Sequence, residues 1–260
     1  MTVAPSPAMH DLIRLAIAAG RAIGQVYASD FSARAKGDLT PVTEADEAAE
    51  RIILAGLARL FPQVPVISEE AAAAGRIPAV GDSFFLVDPL DGTKEFISRN
   101  GEFTVNIARI DGGVPVAGIV HAPAIARIFW GELGVGAAQG RLGEDGTVTQ
   151  WLPMHVRTCP ADGATVVASR SHRDQATEDY LKRIRVKSLR SAGSSLKFCL
   201  VAAGEADLYP RFGRTMEWDT AAGQAVLMAA GGKVMTTAGE PLLYGKRDRG
   251  YDNPGFIASA

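Results

Sequence analysis

The chain of 260 residues carries 27 Lys and Arg against 29 Asp and Glu, a formal net charge of −2, and 47% of its residues are hydrophobic. This length suffices for one large α/β domain or two packed subdomains with a sizeable core. The near-balanced charge gives no general attraction for polyanions, which argues against a nucleic-acid polymer as partner, so an anionic ligand requires local clusters of basic side chains.

Cysteine usage and the N-terminal region indicate a cytoplasmic protein. Cys159 and Cys199 lie far apart and neither has metal-ligand spacing, so we expect two reduced thiols. The apolar stretch 12–19 is interrupted by Arg14 and preceded by Asp11, unlike a secretory segment. No window is long enough for an integral membrane segment, and peripheral association with the inner membrane is left open.

Two helices are predicted near the start of the chain. Apolar residues at helical spacing place the first from Pro7 to Tyr27. The second is predicted from Thr43 to Leu60, because Thr43 is followed three residues later by Asp46, as in a capping pair. Phe61-Pro62 ends it.

A largely antiparallel sheet is predicted next. A short strand, 64–67, delivers Ser68, Glu69 and Glu70, and a surface connection is expected over 71–82. Asp111-Gly112-Gly113 separates two apolar runs, 103–108 and 114–120, as in a hairpin. The β pattern continues over 125–130 and 135–138.

From about Val166 strands alternate with helices, which predicts a second α/β layer. The expected elements are a strand at 166–168, a helix at 175–184, a strand at 186–189, a helix at 194–203, a strand at 206–209 and a helix at 220–230. We therefore expect an N-terminal α+β subdomain of residues 1–158, carrying most of the candidate ligands, and a C-terminal α/β subdomain of residues 159–260.

The most informative segment is an apolar strand that runs directly into Asp88-Pro89-Leu90-Asp91-Gly92-Thr93. Asp88 and Asp91 can supply oxygen ligands from the two ends of one turn, and Gly92 allows the backbone to approach an anion. The N–H groups around Gly92 and Thr93 can bind phosphate. This pattern predicts a site for magnesium and phosphate.

Further acidic residues stand at strand ends or helix starts, namely Glu69, Asp219 and Asp46. Ligand sites in α/β proteins gather at such edges, and carboxylates brought together there repel one another unless cations lie between them. Each pattern alone also fits a structural role: an N-cap at Asp219, a capping pair at Thr43 and Asp46, surface charge at Glu69, a plain turn at Asp88. Their occurrence together favours a metal site.

Three motifs of the chain resemble the signatures of the inositol monophosphatase superfamily of magnesium-dependent phosphatases. They are Ile67-Ser68-Glu69-Glu70, Asp88-Pro89-Leu90-Asp91-Gly92-Thr93 and Trp218-Asp219-Thr220-Ala221-Ala222-Gly223. Other segments are similar to its bacterial CysQ branch, the 3′(2′),5′-bisphosphate nucleotidases: residues 91–96, 99–106, 169–172, 193–199 and 208–213. The resemblance extends over nearly the whole chain.

The resemblance implies a layered αβαβα sandwich of the inositol monophosphatase and fructose-1,6-bisphosphatase type, which combines α/β and α+β features. It also implies a ligand set for two Mg²⁺ ions. Glu69, Asp88 and the main-chain carbonyl of Leu90 would hold the first, and Asp88, Asp91 and Asp219 the second. A third, more weakly held ion would involve Asp46.

The resemblance further implies the catalytic roles. Two Mg²⁺ ions would activate a water for in-line displacement at phosphorus. Thr93 matches the family residue that contacts this water. Asp46, through Thr43, would help to accept its proton.

For the substrate, the resemblance places the adenosine and its 5′-phosphate among His172, Ser194, Lys197 and Arg211. Taken alone, His172 fits a surface loop, Lys197 a solvated helix position and Arg211 a charge at a strand end. The 3′-phosphate would lie over the metals. Further substrate contacts are expected from Glu69, Leu90, Asp91, Gly92, Thr93 and Asp219.

The expected activity is hydrolysis of adenosine 3′,5′-bisphosphate (PAP) to AMP and phosphate in sulfur assimilation, with the sulfate-carrying analogue PAPS as a second substrate, converted to APS. The alternatives are an inositol-1-monophosphatase or a fructose-1,6-bisphosphatase of the same superfamily, and a sensor that binds metal and nucleotide without hydrolysis. Monomer and homodimer remain open. No basic stripe with interleaved aromatic residues supports RNA binding.

Overall fold

The computed structural model describes residues 3–35, 41–169 and 174–260. Its α-helices are α1 Pro7–Tyr27, α2 Glu44–Leu60, α3 Glu69–Ala73, α4 Thr93–Ile97, α5 Gln175–Leu181, α6 Leu196–Ala202 and α7 Glu217–Ala229. Its strands are β1 Ala33–Ala35, β2 Pro41–Thr43, β3 Val66–Ser68, β4 Ser83–Asp91, β5 Thr104–Asp111, β6 Val114–Ala122, β7 Arg127–Glu132, β8 Gly136–Leu142, β9 Val148–Pro153, β10 Ala164–Ser169, β11 Val186–Ala192, β12 Leu208–Arg211, β13 Lys233–Thr236 and β14 Phe256–Ser259. Short 3₁₀ turns lie at Pro123–Ile125 and Arg247–Arg249.

Within the described residues the larger sheet has seven strands in the order β3-β4-β5-β6-β7-β8-β9. Its β3 and β4 are parallel, and every later pair is antiparallel, as predicted. The second sheet has five strands in the order β11-β10-β12-β14-β13 and mixes both directions. A small antiparallel pair, β1 and β2, precedes α2.

Helices cover both faces of the seven-stranded sheet. Alternate residues of β4 point to opposite faces, so Phe85 and Val87 pack in one core with α1 and α2. Phe84 and Leu86 pack in another core with α6 and α7. Because α6 also contacts β10, β12 and β14, it lies between the two sheets. The layered α/β fold is confirmed.

Two glycines let α7 approach the large sheet closely. A Cβ added at Gly118 of β6 would stand 2.5 Å from the carbonyl oxygen of Ala222, and one at Gly131 of β7 would stand 2.5 Å from Cα of Val226. The helix that carries Asp219 therefore packs against β6 and β7 at a distance that leaves no room for a side chain at either glycine.

The sequence predictions were right for element types and less accurate at element ends. The first helix is confirmed from Pro7 to Tyr27. Thr43 is the N-cap of α2 rather than its first residue, because its side chain accepts a hydrogen bond from the Ala45 N–H. The surface connection predicted over 71–82 begins inside α3, which starts at Glu69.

In the C-terminal region, α5 ends three residues before the predicted 184, at Leu181, and α6 begins at Leu196 rather than 194. Ser194 has a left-handed φ of 53°, which a helix cannot include. α7 begins at Glu217 rather than 220, since the Asp219 carboxylate caps the first turn by accepting the Met216 N–H. Elements absent from the prediction are β1, β2, α3, α4, β9, β13 and β14.

Both cysteines are free, Cys159 exposed and Cys199 buried, as expected. Among the described residues, no helix combines the length and the apolar character needed to cross a bilayer. The subdomain boundary between residues 158 and 159 stays a prediction.

Candidate active site

A cavity of about 360 Å³ opens where the end of β4, the start of α7 and the turn before α6 meet. Its lining combines acidic, hydroxyl and basic side chains: Glu69, Asp91, Gly92, Thr93, Lys94, Glu95, Ser169, Ser194, Lys197, Phe198, Tyr209, Arg211, Arg214, Thr215, Met216, Asp219 and Thr220. Residues from the N-terminal and the C-terminal halves of the chain therefore share one site.

Three carboxylates converge at this cavity, which Glu69 and Asp219 line. Glu69, Asp88 and Asp219 each offer an oxygen atom, and these atoms lie within 4.8 Å of one another. Ser68 and Val87 are register partners in the parallel pair of β3 and β4, so the residues that follow them, Glu69 and Asp88, are neighbours. Asp219 comes from the first turn of α7.

A bulge explains how two acidic residues of β4 reach the same site. Asp88 pairs with Asn106 of β5, but Asp91 pairs with Thr104, so β4 contains one extra residue between them. A bulge of this kind shifts the alternation of side chains between the two faces. The Leu90 N–H donates to Asp88 Oδ1 over 3.0 Å, which closes the turn.

The electrostatic environment of Asp219 reflects this crowding. Burial, followed by the negative charges of Asp91 and Glu69, raises the pKa of Asp219 well above its usual range. The Met216 N–H and the positive charge of Arg211 oppose the shift. The carboxylates crowd together and supply only oxygen donors, which fits a hard divalent cation such as Mg²⁺.

Asp91 lies outside the group of three, although it lines the same cavity. Its Oδ2 accepts hydrogen bonds from Ser194 Oγ over 2.6 Å and from the Ser195 N–H over 2.8 Å. Asn106 Nδ2 approaches the same oxygen at 3.4 Å. A turn from the C-terminal half thus fixes a carboxylate of the N-terminal half.

Thr43 and Asp46 are buried and form a hydrogen-bonded chain with the partly buried Thr93. Asp46 Oδ2 accepts from the Thr43 N–H over 2.8 Å and from Thr43 Oγ1 over 2.7 Å, which is the capping pair foreseen as an alternative. The other oxygen, Oδ1, lies 3.3 Å from Thr93 Oγ1. Thr93 also approaches the Leu90 carbonyl at 3.4 Å. The capping pair therefore also reaches the cavity through Thr93.

Gly92 and Thr93 lie where the chain turns from β4 into α4. Gly92 has a φ of 92° and is the N-cap of α4, which begins at Thr93. Only glycine adopts this conformation without strain. The first N–H groups of a helix have no acceptor within the helix, and both residues line the cavity.

Basic side chains also line the cavity. Lys197 is only 4% exposed, so the solvated position considered from the sequence is wrong. Its Nζ donates to the carbonyls of Ser194 over 2.5 Å and Ala192 over 3.3 Å, and burial lowers the pKa of Lys197 to about 8. Arg211 donates from Nε to the Gly213 carbonyl over 3.2 Å.

Several residues at the site escaped the sequence reasoning. Arg214 lines the cavity beside Arg211 and pairs with Asp252 over 2.7 Å. Buried Glu50 of α2 accepts from Ser68 Oγ over 2.5 Å and from the Ala71 N–H over 3.0 Å, so it holds the turn that carries Glu69. No local pattern marks these residues, because each acts on a segment far along the chain. His172 lies outside the described residues.

Comparison with known proteins places the chain among relatives of nearly equal length. Residues 7–259 match the model of the inositol monophosphatase family. The 3′(2′),5′-bisphosphate nucleotidase CysQ of Escherichia coli K12 is 45% identical over 253 residues, covering 96% of this chain and 99% of the relative. The protein of the same name from Buchnera aphidicola is 42% identical over 255 residues, covering 97% and 93%.

A solved structure gives the same result in three dimensions. The crystal structure of CysQ from Bacteroides thetaiotaomicron, a bacterial member of the inositol monophosphatase family, superposes with a TM-score of 0.80 at 40% identity, covering 97% of this chain and 96% of that one. Fold, cavity and sequence agree, and the chain belongs to the inositol monophosphatase family.

Proposed function

We propose that the chain is a 3′(2′),5′-bisphosphate nucleotidase that hydrolyses PAP to AMP and phosphate, with PAPS as a second substrate. The curated relatives that carry this name match it at 42% to 45% identity over nearly their full length. The observation that carries the proposal within the structure is the arrangement of the cavity. Glu69 and Asp219 of the carboxylate cluster line it together with the basic residues Lys197, Arg211 and Arg214.

This arrangement suits a substrate with two phosphates. The 3′-phosphate would lie at the carboxylate cluster, and the 5′-phosphate would lie at Arg211, whose guanidinium can donate two parallel hydrogen bonds. Ser194 and Lys197 also line the cavity, and His172 is retained from the family resemblance as a further nucleotide contact. An inositol monophosphate has no second phosphate for the basic residues.

The ligand set proposed for Mg²⁺ follows the family pattern. Glu69, Asp88 and the Leu90 carbonyl would hold one ion, Asp88, Asp91 and Asp219 a second, and Asp46 would contribute to a third. When bound, such ions polarise phosphoryl oxygens, lower the pKa of a bound water and stabilise the departing alkoxide.

The side chains around Thr93 would then handle the proton of the attacking water. Thr93 Oγ1 can accept a hydrogen bond from the water while its own hydroxyl donates to Asp46 Oδ1, 3.3 Å away. As the water oxygen attacks phosphorus, its proton passes to Thr93 while the Thr93 proton passes to Asp46. Thr43 holds Asp46 Oδ2, so Oδ1 remains turned toward Thr93.

Phosphate release from a panel of four substrates tests this proposal: PAP, PAPS, inositol 1-phosphate and fructose 1,6-bisphosphate, each with Mg²⁺ and with EDTA. We expect PAP to have the highest kcat/KM and EDTA to abolish turnover. Faster release from inositol 1-phosphate or from fructose 1,6-bisphosphate would reassign the substrate within the family. Binding of PAP without release from any substrate would favour the sensor.

The cytoplasmic location and the choice between monomer and homodimer stay predictions.

A further inference from the structure

We propose that Ser195 is a positioning residue that ties Asp91 to Asp219 and thereby sets the geometry in which both hold Mg²⁺. The inference rests on the proposed function, because it concerns the same ligand set. Ser195 is 1% exposed, lies below the cavity lining and contacts both ligand-bearing segments.

Two separate groups of Ser195 make the tie. Its N–H donates to Asp91 Oδ2 over 2.8 Å, and its Oγ lies 2.7 Å from the main-chain carbonyl of Asp219. Asp91 ends β4, whereas Asp219 lies in the first turn of α7. Ser195 therefore links a strand to a helix, through two aspartates that are 128 residues apart in the sequence.

Asn106 fixes the direction in which the Ser195 hydroxyl donates. Thr104 Oγ1 donates to Asn106 Oδ1 over 2.9 Å, which orients the amide. Asn106 Nδ2 then donates to Ser195 Oγ over 3.0 Å. Because that bond uses a lone pair of Ser195 Oγ, the hydroxyl proton is directed to the Asp219 carbonyl. Asn106 is fully buried, so water does not reach these groups and losing one of the bonds leaves a buried polar atom unsatisfied, which costs free energy.

The turn that carries Ser195 is itself held from two sides. Glu102 Oε2 accepts the Gly193 N–H over 2.9 Å, and Lys197 Nζ binds the Ser194 carbonyl over 2.5 Å. A Cβ at Gly193 would stand 2.5 Å from the Glu102 carbonyl oxygen, so the turn and the segment before β5 are in close contact. The donors that reach Asp91 are therefore held in place by contacts within the protein itself.

This arrangement assigns different tasks to the two oxygens of Asp91. Among the described residues, the hydrogen bonds to its carboxylate go to Oδ2. Oδ1 is thus the oxygen left for a cation, and its direction is set by the donors on Oδ2. Removing a group that orients a metal ligand typically lowers metal affinity by about 10- to 100-fold.

The test measures metal binding without substrate, by titrating the protein with Mn²⁺ and following the EPR signal of the free ion. Mn²⁺ prefers the same oxygen ligands as Mg²⁺. We expect Ser195→Ala to weaken Mn²⁺ binding by about tenfold or more and Ser195→Thr, which keeps the hydroxyl, to stay within about threefold of wild type. The matched control is Ser83→Ala, since Ser83 Oγ is buried and has no hydrogen-bond partner among the described residues.

The outcomes separate this inference from the proposed function. A wild-type protein that binds no Mn²⁺ would overturn the ligand set and the proposed function with it. Wild type and Ser195→Ala with equal affinity would overturn only the role of Ser195. Asn106→Ala gives a second route if Ser195→Ala does not fold. The variant that carries both Ser195→Ala and Asn106→Ala gives a further test. If its loss of Mn²⁺ binding free energy equals the sum of the two single losses, the residues do not act through one hydrogen-bonded array, and the role of Ser195 is overturned.

Discussion

The acidic and the basic residues of the cavity carry opposite charges, yet burial acts on them in the same way. Among the acidic residues, burial and neighbouring carboxylates raise the pKa of Asp219. Among the basic residues, burial lowers the pKa of Lys197 to about 8. In each case the neutral form is favoured, because a charge removed from water loses its hydration whatever its sign.

Apart from Lys197, which is enclosed and bonded to two backbone carbonyls, the acidic and basic residues differ in how firmly the chain holds them. The acidic residues are short side chains fixed by a bulge, a helix start and hydrogen bonds to the backbone. Arg214, one of the basic residues, keeps 73% of its side chain exposed. A site for cations needs fixed oxygen positions, whereas a site for a phosphate on a flexible nucleotide tolerates longer side chains. We therefore expect Mg²⁺ to stabilise the carboxylates and the substrate phosphates to stabilise the basic residues, because each ligand supplies the opposite charge.

The largest effect is expected from Asp219→Asn. The amide still accepts the Met216 N–H but removes one negative charge from the cluster. We expect kcat/KM for PAP to fall by at least about 10³-fold, since metal ions contribute several kcal/mol to phosphoryl transfer.

We expect Asp219→Asn to raise the stability of the protein although it lowers the activity. The pKa of Asp219 is higher in the folded than in the unfolded chain. At pH values between the two pKa values the folded chain therefore binds more protons, and the free energy of unfolding falls as pH rises through that range. In EDTA, Asp219→Asn should therefore be more stable than wild type at neutral pH. A variant that loses stability in denaturant titrations would contradict this view of the acidic residues.

A loss of about 100- to 1,000-fold in kcat is expected for Thr93→Ala, because general base catalysis through Thr93 and Asp46 contributes on this scale. The KM for PAP and the affinity for Mn²⁺ should change little. Steady-state kinetics with an exposed control, Thr149→Ala, checks this. Full turnover in Thr93→Ala, or in Asp46→Asn, would remove both residues from the proton path.

Lys197→Met tests the basic residues through stability. The folded pKa of Lys197 is about 8 against 10.5 for a lysine in water, so the unfolded chain binds more protons between these values and stability rises with pH across that window. In metal-free protein, the free energy of unfolding of wild type relative to Lys197→Met should increase by about 3 kcal/mol from pH 8 to pH 10.5. Chemical denaturation at a series of pH values measures it, and a difference that does not vary with pH would show that burial leaves the lysine pKa unshifted.

The smallest effect is expected from Arg211→Lys. A lysine keeps the charge but cannot donate two parallel hydrogen bonds to one phosphate. We expect kcat/KM for PAP to fall by about tenfold while kcat/KM for 3′-AMP, which lacks the 5′-phosphate, is unchanged. Arg141→Lys, at an exposed position outside this cavity, is the control. Equal losses on both nucleotides would place Arg211 away from the 5′-phosphate.

Local patterns in the sequence predicted those parts of the site that lie within short segments. The capping pair of Thr43 and Asp46, the turn from Asp88 to Thr93 and the first helix all depend on hydrogen bonds and periodicity within a few residues. The three family motifs are contiguous for the same reason. The order of the motifs in the sequence was thus enough to predict that Glu69, Asp88 and Asp219 form one cluster.

Only the tertiary structure decided which segments meet and what becomes buried. The sequence gives no sign that Lys197 is enclosed, that Glu50 holds the turn of Glu69 or that Ser195 joins Asp91 to Asp219. Each depends on the packing of α6 and α7 against the large sheet, between residues far apart in the chain. Burial and long-range hydrogen bonds are properties of the assembled core, whereas caps, turns and amphipathic faces are written into neighbouring residues.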